Sequence, residues 1–323
     1  MSVASVQAAV AARPSSLVLS WLKGVIADPG ARAIWGVILF LALSVAVTFP
    51  IVGLSLVVRD VAFNLTVAAA ALAGSCVYGV FRPDPRLSRL LRGVPEIVLT
   101  TYFGGALSYA ATAAGLPLWD ATFARWDSAL GLDWVSLLKF YEAHPRFYAV
   151  LACTYYSMLP QIALLLLALA TMRAFLRLDA FIFSFGLAAI VTMAIATLMP
   201  SVCAGEFHAA STGSLLNIRP NWDFAQSVHE LRAGSLTSVK MAEAKGLVSF
   251  PSFHAICAIL ITIAFWRVPY LRWAALVLNL AMLAATPIEG GHYFVDLIAG
   301  AVIAIVAWAI AQRVVGEESG VTP

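Results

Sequence analysis

Long apolar segments without any charged residue constrain the fold of this chain more than any other feature. Residues 34–58 contain no Asp, Glu, Lys or Arg, and a helix needs only about 20 mostly apolar residues to cross a bilayer. Pro50 and Gly53 interrupt this segment, but membrane helices tolerate both residues. Because the lipid core offers backbone groups no other hydrogen-bond partner, such segments predict membrane-spanning α-helices.

Seven further segments repeat this apolar character along the chain. They are residues 61–81, 95–116, 147–172, 180–203, 252–266, 270–287 and 292–311. Together with the first segment they predict an all-α, polytopic membrane helix bundle with about eight spans. We expect one transmembrane domain over residues 31–315. A cytoplasmic lead of residues 1–30, with an interfacial helix near residues 16–26, precedes it, and a tail of residues 316–323 follows it.

Composition also indicates a lipid environment. Hydrophobic residues make up 62% of the 323 positions and charged residues only 11%, whereas a soluble domain carries about 25% charged residues. The net charge of +3 is spread along the chain, which argues against a nucleic-acid partner. The four cysteines lack the spacing of a metal site, so we expect neither a metal nor a cofactor.

The distribution of positive charges predicts an orientation in the membrane. With the N-terminus in the cytoplasm, the larger share of the 20 Lys and Arg residues falls on that side, as the positive-inside rule requires. Arg82, Arg86, Arg89 and Arg92 are then expected in a cytoplasmic loop between the second and third segments. We therefore expect both termini inside, in a bacterial inner membrane.

Three ionisable residues stand where apolar segments begin. His254 lies near the start of one segment, and His292 and Asp296 open the last one. An ionisable group costs about 2.5–3.5 kcal/mol at the centre of a membrane helix and therefore tends to be functional. Two spans separate the loop of residues 204–250 from the turn of residues 288–291, so both lie on one side of the membrane. We expect the three residues to meet there, at the extracytoplasmic face.

The spacing of His292 and Asp296 indicates how they could react. Residues four apart lie on one face of a helix, so Asp296 can accept a hydrogen bond from one ring nitrogen of His292 and leave the other basic. A histidine held in this way can attack phosphorus. Ser252 and the backbone around Gly291, at two helix starts, are candidates for binding phosphate. The alternative is a His–Asp pair that only anchors its helix.

These residues resemble the signature motifs of a known family. Pro251-Ser252-Phe253-His254 and His292-x-x-x-Asp296 are similar to the second and third motifs of the type-2 phosphatidic acid phosphatase superfamily. The resemblance implies a six-helix core within the bundle. It also implies that His292 accepts the phosphate, that Asp296 orients His292, and that His254 protonates the leaving group.

Departures from that pattern bear on the reaction. Ala285 and Thr286 stand where the phosphatase motif has Ser-Arg, and Thr212 stands where the first motif has its lysine. The His-Tyr-Phe-Val-Asp run of residues 292–296 resembles instead the inositol phosphorylceramide synthase branch. The resemblance therefore implies an inositolphosphotransferase-like enzyme that transfers part of a lipid phosphate ester to a polyol such as inositol. Its other expected partners are the surrounding membrane lipids.

Without the arginine of the motif, a loop must supply the positive charge that phosphoryl transfer needs. Arg232, Lys240 and Arg219 are the candidates, although each could equally be a solvated loop charge. Two other functions stay open. One is a phosphatase that acts on phosphatidate or a polyprenyl phosphate with water as acceptor, and the other is a transporter that uses the His–Asp pair as a proton relay.

Overall fold

The computed structural model describes residues 14–212, 222–243 and 246–316. These residues are mostly helical. The helices are α1 (Pro14–Ala27), α2 (Pro29–Ile51), α3 (Val58–Cys76), α4 (Pro85–Ala113), α5 (Asp120–Ala129), α6 (Trp134–Ala143), α7 (Pro145–Tyr155), α8 (Met158–Thr171), α9 (Phe175–Leu198), α10 (Ala204–Thr212), α11 (Trp222–Arg232), α12 (Phe253–Phe265), α13 (Arg272–Glu289) and α14 (Phe294–Val315). Two short strands, β1 (Ser55–Leu56) and β2 (Ser238–Val239), pair in parallel. The all-α prediction is confirmed, and a helix forms where the lead helix is expected.

Four helices of the described ranges are long and apolar enough to cross a membrane. They are α2, α3 together with the π-helical turn Val77–Phe81 that continues it, α9 and α14. Helices α7 and α8 pass the same test as a pair, but they meet at a bend of 45° inside the segment predicted to be one span. The structure fits a membrane bundle, while the number of about eight spans and the domain limits stay predictions.

Helix α2 shows how lipid solvates the bundle. Its buried side chains recur every three or four residues, and large apolar side chains cover the opposite face. The buried set is Ile34, Ile38, Leu41, Val45 and Phe49, and the exposed set is Leu39, Phe40, Leu43 and Val47. An exposed apolar face of this kind is costly in water. In a membrane the same face contacts acyl chains, and the buried stripe packs into the bundle.

Helix α9 occupies the centre of the bundle and packs against α2, α4, α12 and α14. Helices α12 and α14 also pack on each other, and they come very close at Gly300. A Cβ at Gly300 would lie 2.6 Å from the Ser252 carbonyl oxygen, so only glycine permits this approach. The contact holds the first turns of α12 and α14, which carry His254 and Asp296, next to each other.

A buried ion cluster corrects the loop expected between the second and third segments. Helix α4 begins well before residue 95, so Arg89 and Arg92 lie on a packed helix rather than in a loop. Arg89 binds Asp179 of α9, and its Nη1 lies 3.1 Å from Glu96 Oε2. Arg92 Nη2 lies 3.2 Å from Asp28 Oδ2. Because buried charges must be paired, these acids allow the two arginines to pack inside the bundle.

Candidate active site

His292 and Asp296 form the hydrogen bond that their spacing predicts. His292 Nδ1 lies 3.0 Å from Asp296 Oδ2, and the two residues are only 3% and 0% exposed. The same Oδ2 accepts a hydrogen bond from Ser249 Oγ at 2.9 Å and one from the Tyr293 N–H at 3.0 Å. Three groups thus converge on one carboxylate oxygen, which fixes the imidazole orientation.

Burial keeps His292 neutral near pH 7. It lowers the pKa of the imidazole to about 4, because desolvation penalises the charged form. With the Nδ1 proton directed at Asp296, Nε2 carries the lone pair. This is the protonation state in which a histidine can act as a nucleophile.

Gly290 and Gly291 shape the turn before His292. A Cβ on Gly290 would lie 2.4 Å from His292 Cδ2, so the imidazole requires a glycine there. Gly291 has a φ of +64°, which favours glycine. Its carbonyl accepts a hydrogen bond from the Ala204 N–H at 2.7 Å, and its own N–H donates to the Ile288 carbonyl at 3.2 Å. The Gly291 backbone therefore builds the turn, and its contact with phosphate stays a prediction.

Asp127 of α5 caps the start of α14. Its carboxylate accepts hydrogen bonds from the N–H groups of Phe294 and Val295, both at 2.9 Å. Burial raises the pKa of this carboxyl, and the two N–H donors act in the opposite direction. A protein carboxylate already occupies these two amides, so they are not free to bind another anion, and phosphate binding at the start of α14 stays a prediction.

Asp120, the first residue of α5, ties a further segment to the site. Its Oδ1 accepts hydrogen bonds from Ser201 Oγ at 2.6 Å and from the Tyr293 hydroxyl at 3.0 Å. Phe123, between the two acids of α5, is fully buried and stacks on Phe250 with ring centres 4.5 Å apart. Helix α5 therefore contacts three parts of the site, which are the segment after α9, the segment before α12 and the start of α14.

The structure brings His254 to the His292 pair, as the topology predicts. Ser252 caps α12 by accepting a hydrogen bond from the Ala255 N–H at 3.3 Å. The Ser252 N–H donates to the Asp296 carbonyl at 3.0 Å, which joins α12 to α14. This bond places the first turn of α12, which carries His254, next to the first turn of α14, which carries Asp296. Ser252 has this structural task, and phosphate binding by its hydroxyl stays a prediction.

Tyr155 is a residue of the site that the sequence does not reveal. Its ring stacks on the His254 imidazole, with ring centres 4.0 Å apart and planes inclined by 16°. Its hydroxyl lies 3.2 Å from His254 Nδ1. Tyr155 ends α7, directly before the bend that leads into α8. In the sequence it is one more aromatic residue of an apolar segment, so only knowledge of the bend could have singled it out.

Glu289, the last residue of α13, adds a buried carboxylate directly before the glycine turn. It accepts hydrogen bonds from the hydroxyls of Tyr148 and Tyr156 at 2.7 Å and 3.1 Å. Tyr148 lies on α7 and Tyr156 in the bend that follows it. These bonds tie the bent pair of helices to the turn that carries His292.

The candidate cations of the loop lie in different places. Arg232 ends α11 and donates to the carbonyl oxygens of Leu116 and Gly115 at 2.9 Å and 3.4 Å. Lys240 is exposed directly after β2, and Arg219 lies outside the described residues. These hydrogen bonds connect Arg232 to the loop after α4 and not to His292 or Asp296. The role of each cation in binding phosphate stays a prediction.

Within the described ranges, no group of three or more His, Cys, Asp or Glu residues could hold a metal ion.

The chain matches a known family over this site. A family model described as the PAP2 superfamily matches residues 121–310, a range that includes His254, His292, Asp296 and the Asp127 cap. No curated protein and no solved structure gave a match. Because the match covers more than half of the 323 residues, the chain belongs to the PAP2 superfamily and is an integral membrane enzyme of the phosphatase or phosphotransferase kind, with a lipid phosphate as substrate.

Proposed function

We propose that the protein is a phosphotransferase that moves part of a lipid phosphate ester to an alcohol such as inositol, through a phosphohistidine on His292. The buried His292–Asp296 pair carries this proposal, because it leaves the lone pair of Nε2 on a neutral imidazole, and the start of α12, with His254, adjoins the start of α14. His292, Asp296 and His254 have the roles of nucleophile, orienting carboxylate and acid.

The reaction has two steps. First, His292 Nε2 attacks phosphorus while the bond from phosphorus to the leaving oxygen breaks, and His254 gives that oxygen a proton. Asp296 stabilises the positive charge that the imidazole then carries. In the second step the acceptor hydroxyl gives its proton to His254 and attacks phosphorus. The phosphorus–nitrogen bond breaks, and both histidines return to their starting states.

Two features favour an alcohol over water as the acceptor. Thr286 stands at the arginine position of the phosphatase motif, is fully buried, and donates a hydrogen bond to the Met282 carbonyl at 2.7 Å. This position therefore carries no positive charge. His292 is only 3% exposed, and a transferase must keep water away from its intermediate. Both observations support the branch that resembles inositol phosphorylceramide synthase, and membership in a family of enzymes argues against the transporter alternative.

The positive charge for the phosphate is assigned to the loop before α12. Arg232 and Arg219 would bind phosphate oxygens as forks and Lys240 as a point charge, with the Ser252 hydroxyl and the turn at Gly291 beside them. The distribution of Lys and Arg along the chain supports a site at the extracytoplasmic face of a bacterial inner membrane.

Purified protein in nanodiscs, given a lipid phosphate ester with a labelled phosphate, tests this proposal. A labelled product that forms only when inositol is present is expected. Free phosphate released equally with and without inositol would make the enzyme a phosphatase and overturn transfer. His292→Ala should abolish either product. His144→Ala is the matched control, because His144 is exposed and bonded to the Phe140 carbonyl.

A further inference from the structure

The end of α7 lies directly against His254. Tyr155, the last residue of α7, stacks its ring on the imidazole with ring centres 4.0 Å apart. Its hydroxyl oxygen lies 3.2 Å from His254 Nδ1. The proposed reaction uses His254 first as an acid and then as a base, so the position of this imidazole decides where its proton is delivered. The two steps of that reaction give Tyr155 no part.

The ring and the hydroxyl of Tyr155 act on the imidazole in different ways. The planes of the two rings are inclined by only 16°, so the stack fixes the plane of the imidazole. The electron-rich face of the tyrosine also favours the positive charge that His254 carries as an acid. With the hydroxyl at Nδ1, the nitrogen left for the substrate is Nε2.

The proton balance of the reaction agrees with this arrangement. Both nitrogens of a protonated imidazole are donors, and the Tyr155 oxygen accepts from Nδ1–H of His254. The proton given to the leaving oxygen is then the one on Nε2. After that transfer Nδ1 keeps its proton, and the lone pair on Nε2 accepts the proton of the attacking hydroxyl in the second step.

Hydrogen bonds on both sides of Tyr155 hold α7 in place. The hydroxyls of Tyr148 and Tyr156 donate to Glu289 at 2.7 Å and 3.1 Å, and α7 packs along α13, which ends at Glu289. Tyr148 and Tyr155 are seven residues apart and therefore lie on one face of α7. The face of α7 that is tied to the end of α13 thus also carries the ring that stacks on His254.

The bend after α7 places Tyr155 at a corner of the bundle. Helix α8 packs on α12, whereas α7 packs on α13, and the two helices meet at 45°. Side chains brace the bend, because Gln161 Nε2 donates to Ser157 Oγ at 2.9 Å and Ser157 Oγ donates to the Thr154 carbonyl at 2.5 Å. Tyr155 therefore lies where the first turn of α12 begins.

We propose that Tyr155 is a positioning residue for His254, which holds the plane of the imidazole and keeps the Nδ1 proton in place so that Nε2 exchanges protons with the substrate. This role rests on the proposed function, which makes His254 the acid and the base. Because Tyr155 acts through His254, its loss should lower kcat and leave KM unchanged.

Two substitutions separate the ring from the hydroxyl. Tyr155→Leu removes both contacts and should lower kcat on an alkyl lipid phosphate ester about 100-fold, the order expected for a misplaced reacting group. Tyr155→Phe keeps the stack and should lose about tenfold or less. Phe147→Leu is the matched control, because Phe147 is a half-exposed aromatic residue of the same helix whose ring contacts Phe140 and Tyr141. It should retain the parent kcat, and thermal unfolding verifies that all three variants fold.

A change of leaving group tests whether Tyr155 acts through His254. The probe is a lipid phosphodiester that releases nitrophenol, given in nanodiscs to an excess of enzyme so that a single turnover is followed. Nitrophenolate departs without a proton, so the first step on this ester needs no acid. We expect Tyr155→Leu and His254→Ala to release nitrophenol nearly as fast as the parent enzyme, although both are slow on the alkyl ester.

Three results would overturn the role of Tyr155. They are an equal loss in Tyr155→Leu on both esters, a further loss when Tyr155→Leu is added to His254→Ala, and a loss in Tyr155→Phe as large as in Tyr155→Leu. Nitrophenol release by His292→Ala at the parent rate would instead overturn the proposed function, and this role with it. The His292 variant reports that failure by itself, so the two failures are distinguishable.

Discussion

Among individual side chains, Asp296 is central because one of its oxygens serves three partners. Oδ2 lies within hydrogen-bond distance of His292 Nδ1, Ser249 Oγ and the Tyr293 N–H. The spacing of four residues predicts the contact with His292. The contact with Ser249 spans 47 residues and depends on how α12 and α14 pack, so no local pattern predicts it.

Asp296→Asn should lower kcat by about 10³- to 10⁴-fold, because an amide nitrogen facing the imidazole cannot accept the Nδ1 proton and favours the other tautomer. Ser249→Ala keeps the His292–Asp296 bond, so its loss should be about tenfold or less. Turnover of the labelled lipid measures both, and thermal unfolding verifies that both variants fold. Equal losses in the two variants would speak against an orienting role for Asp296.

Gly290→Ala tests how closely the imidazole is held. A Cβ at this position would lie 2.4 Å from His292 Cδ2, so the ring must move, and we expect kcat to fall by at least about tenfold. Gly246→Ala is the matched control, because nothing lies within 4 Å of a Cβ there, and its kcat should equal that of the parent enzyme. Full activity in Gly290→Ala would show that the position of the ring does not limit turnover.

Among the helices, α5 contacts the site through two buried acids. Asp120 and Asp127 bind groups at the start of α14 that lie 173 and 167 residues away, and the family match begins within this helix. In the sequence, no local pattern indicates which groups these two acids bind. Their importance follows only from the tertiary contact of α5 with α14.

Asp127→Ala should lower the free energy of unfolding by about 1–2 kcal/mol, as for a lost helix cap. It should also lower turnover, because the turn that it releases carries Asp296. Asp133→Ala is the matched control, since Asp133 caps α6 by accepting hydrogen bonds from the N–H groups of Val135 and Ser136. It should cost similar stability and leave turnover intact. If both variants lose activity to the same degree, the loss reflects stability and not the position of α14.

Across the bundle, polar regions occupy opposite ends of an apolar body. Hydropathy predicts the apolar body, because it depends on the length of each apolar segment. The number of spans between two loops predicts that His254 and His292 lie at the same face of the membrane. The prediction of a loop before residue 95 fails, because Arg89 and Arg92 lie on α4. By charge alone these two residues are typical of a loop. Their partners Asp28 and Asp179 are distant in sequence, so their pairing cannot be read from it. The hydropathy of residues 147–172 does not predict the bend between α7 and α8 either.

Arg89→Leu should lower the free energy of unfolding by about 3–5 kcal/mol, because it leaves the buried carboxylates of Asp179 and Glu96 without this cation. Arg86→Leu, on the exposed side of the same helix, should change it by no more than about 0.5 kcal/mol. Chemical unfolding measures both variants. Turnover per folded molecule should persist in each, since the cluster lies far from His292. Unchanged stability in Arg89→Leu would show that the cluster is not what holds α4 against α9.

Trapping the intermediate shows which residue carries the phosphoryl group. The enzyme is mixed with a lipid ester that has a labelled phosphorus, quenched in base so that a phosphohistidine survives, digested, and analysed by mass spectrometry. The mechanism predicts a labelled phosphoryl adduct on His292 that appears at the rate of the first step and is absent from His292→Ala. Label on His254, or product formation with no labelled histidine at any time, would contradict it.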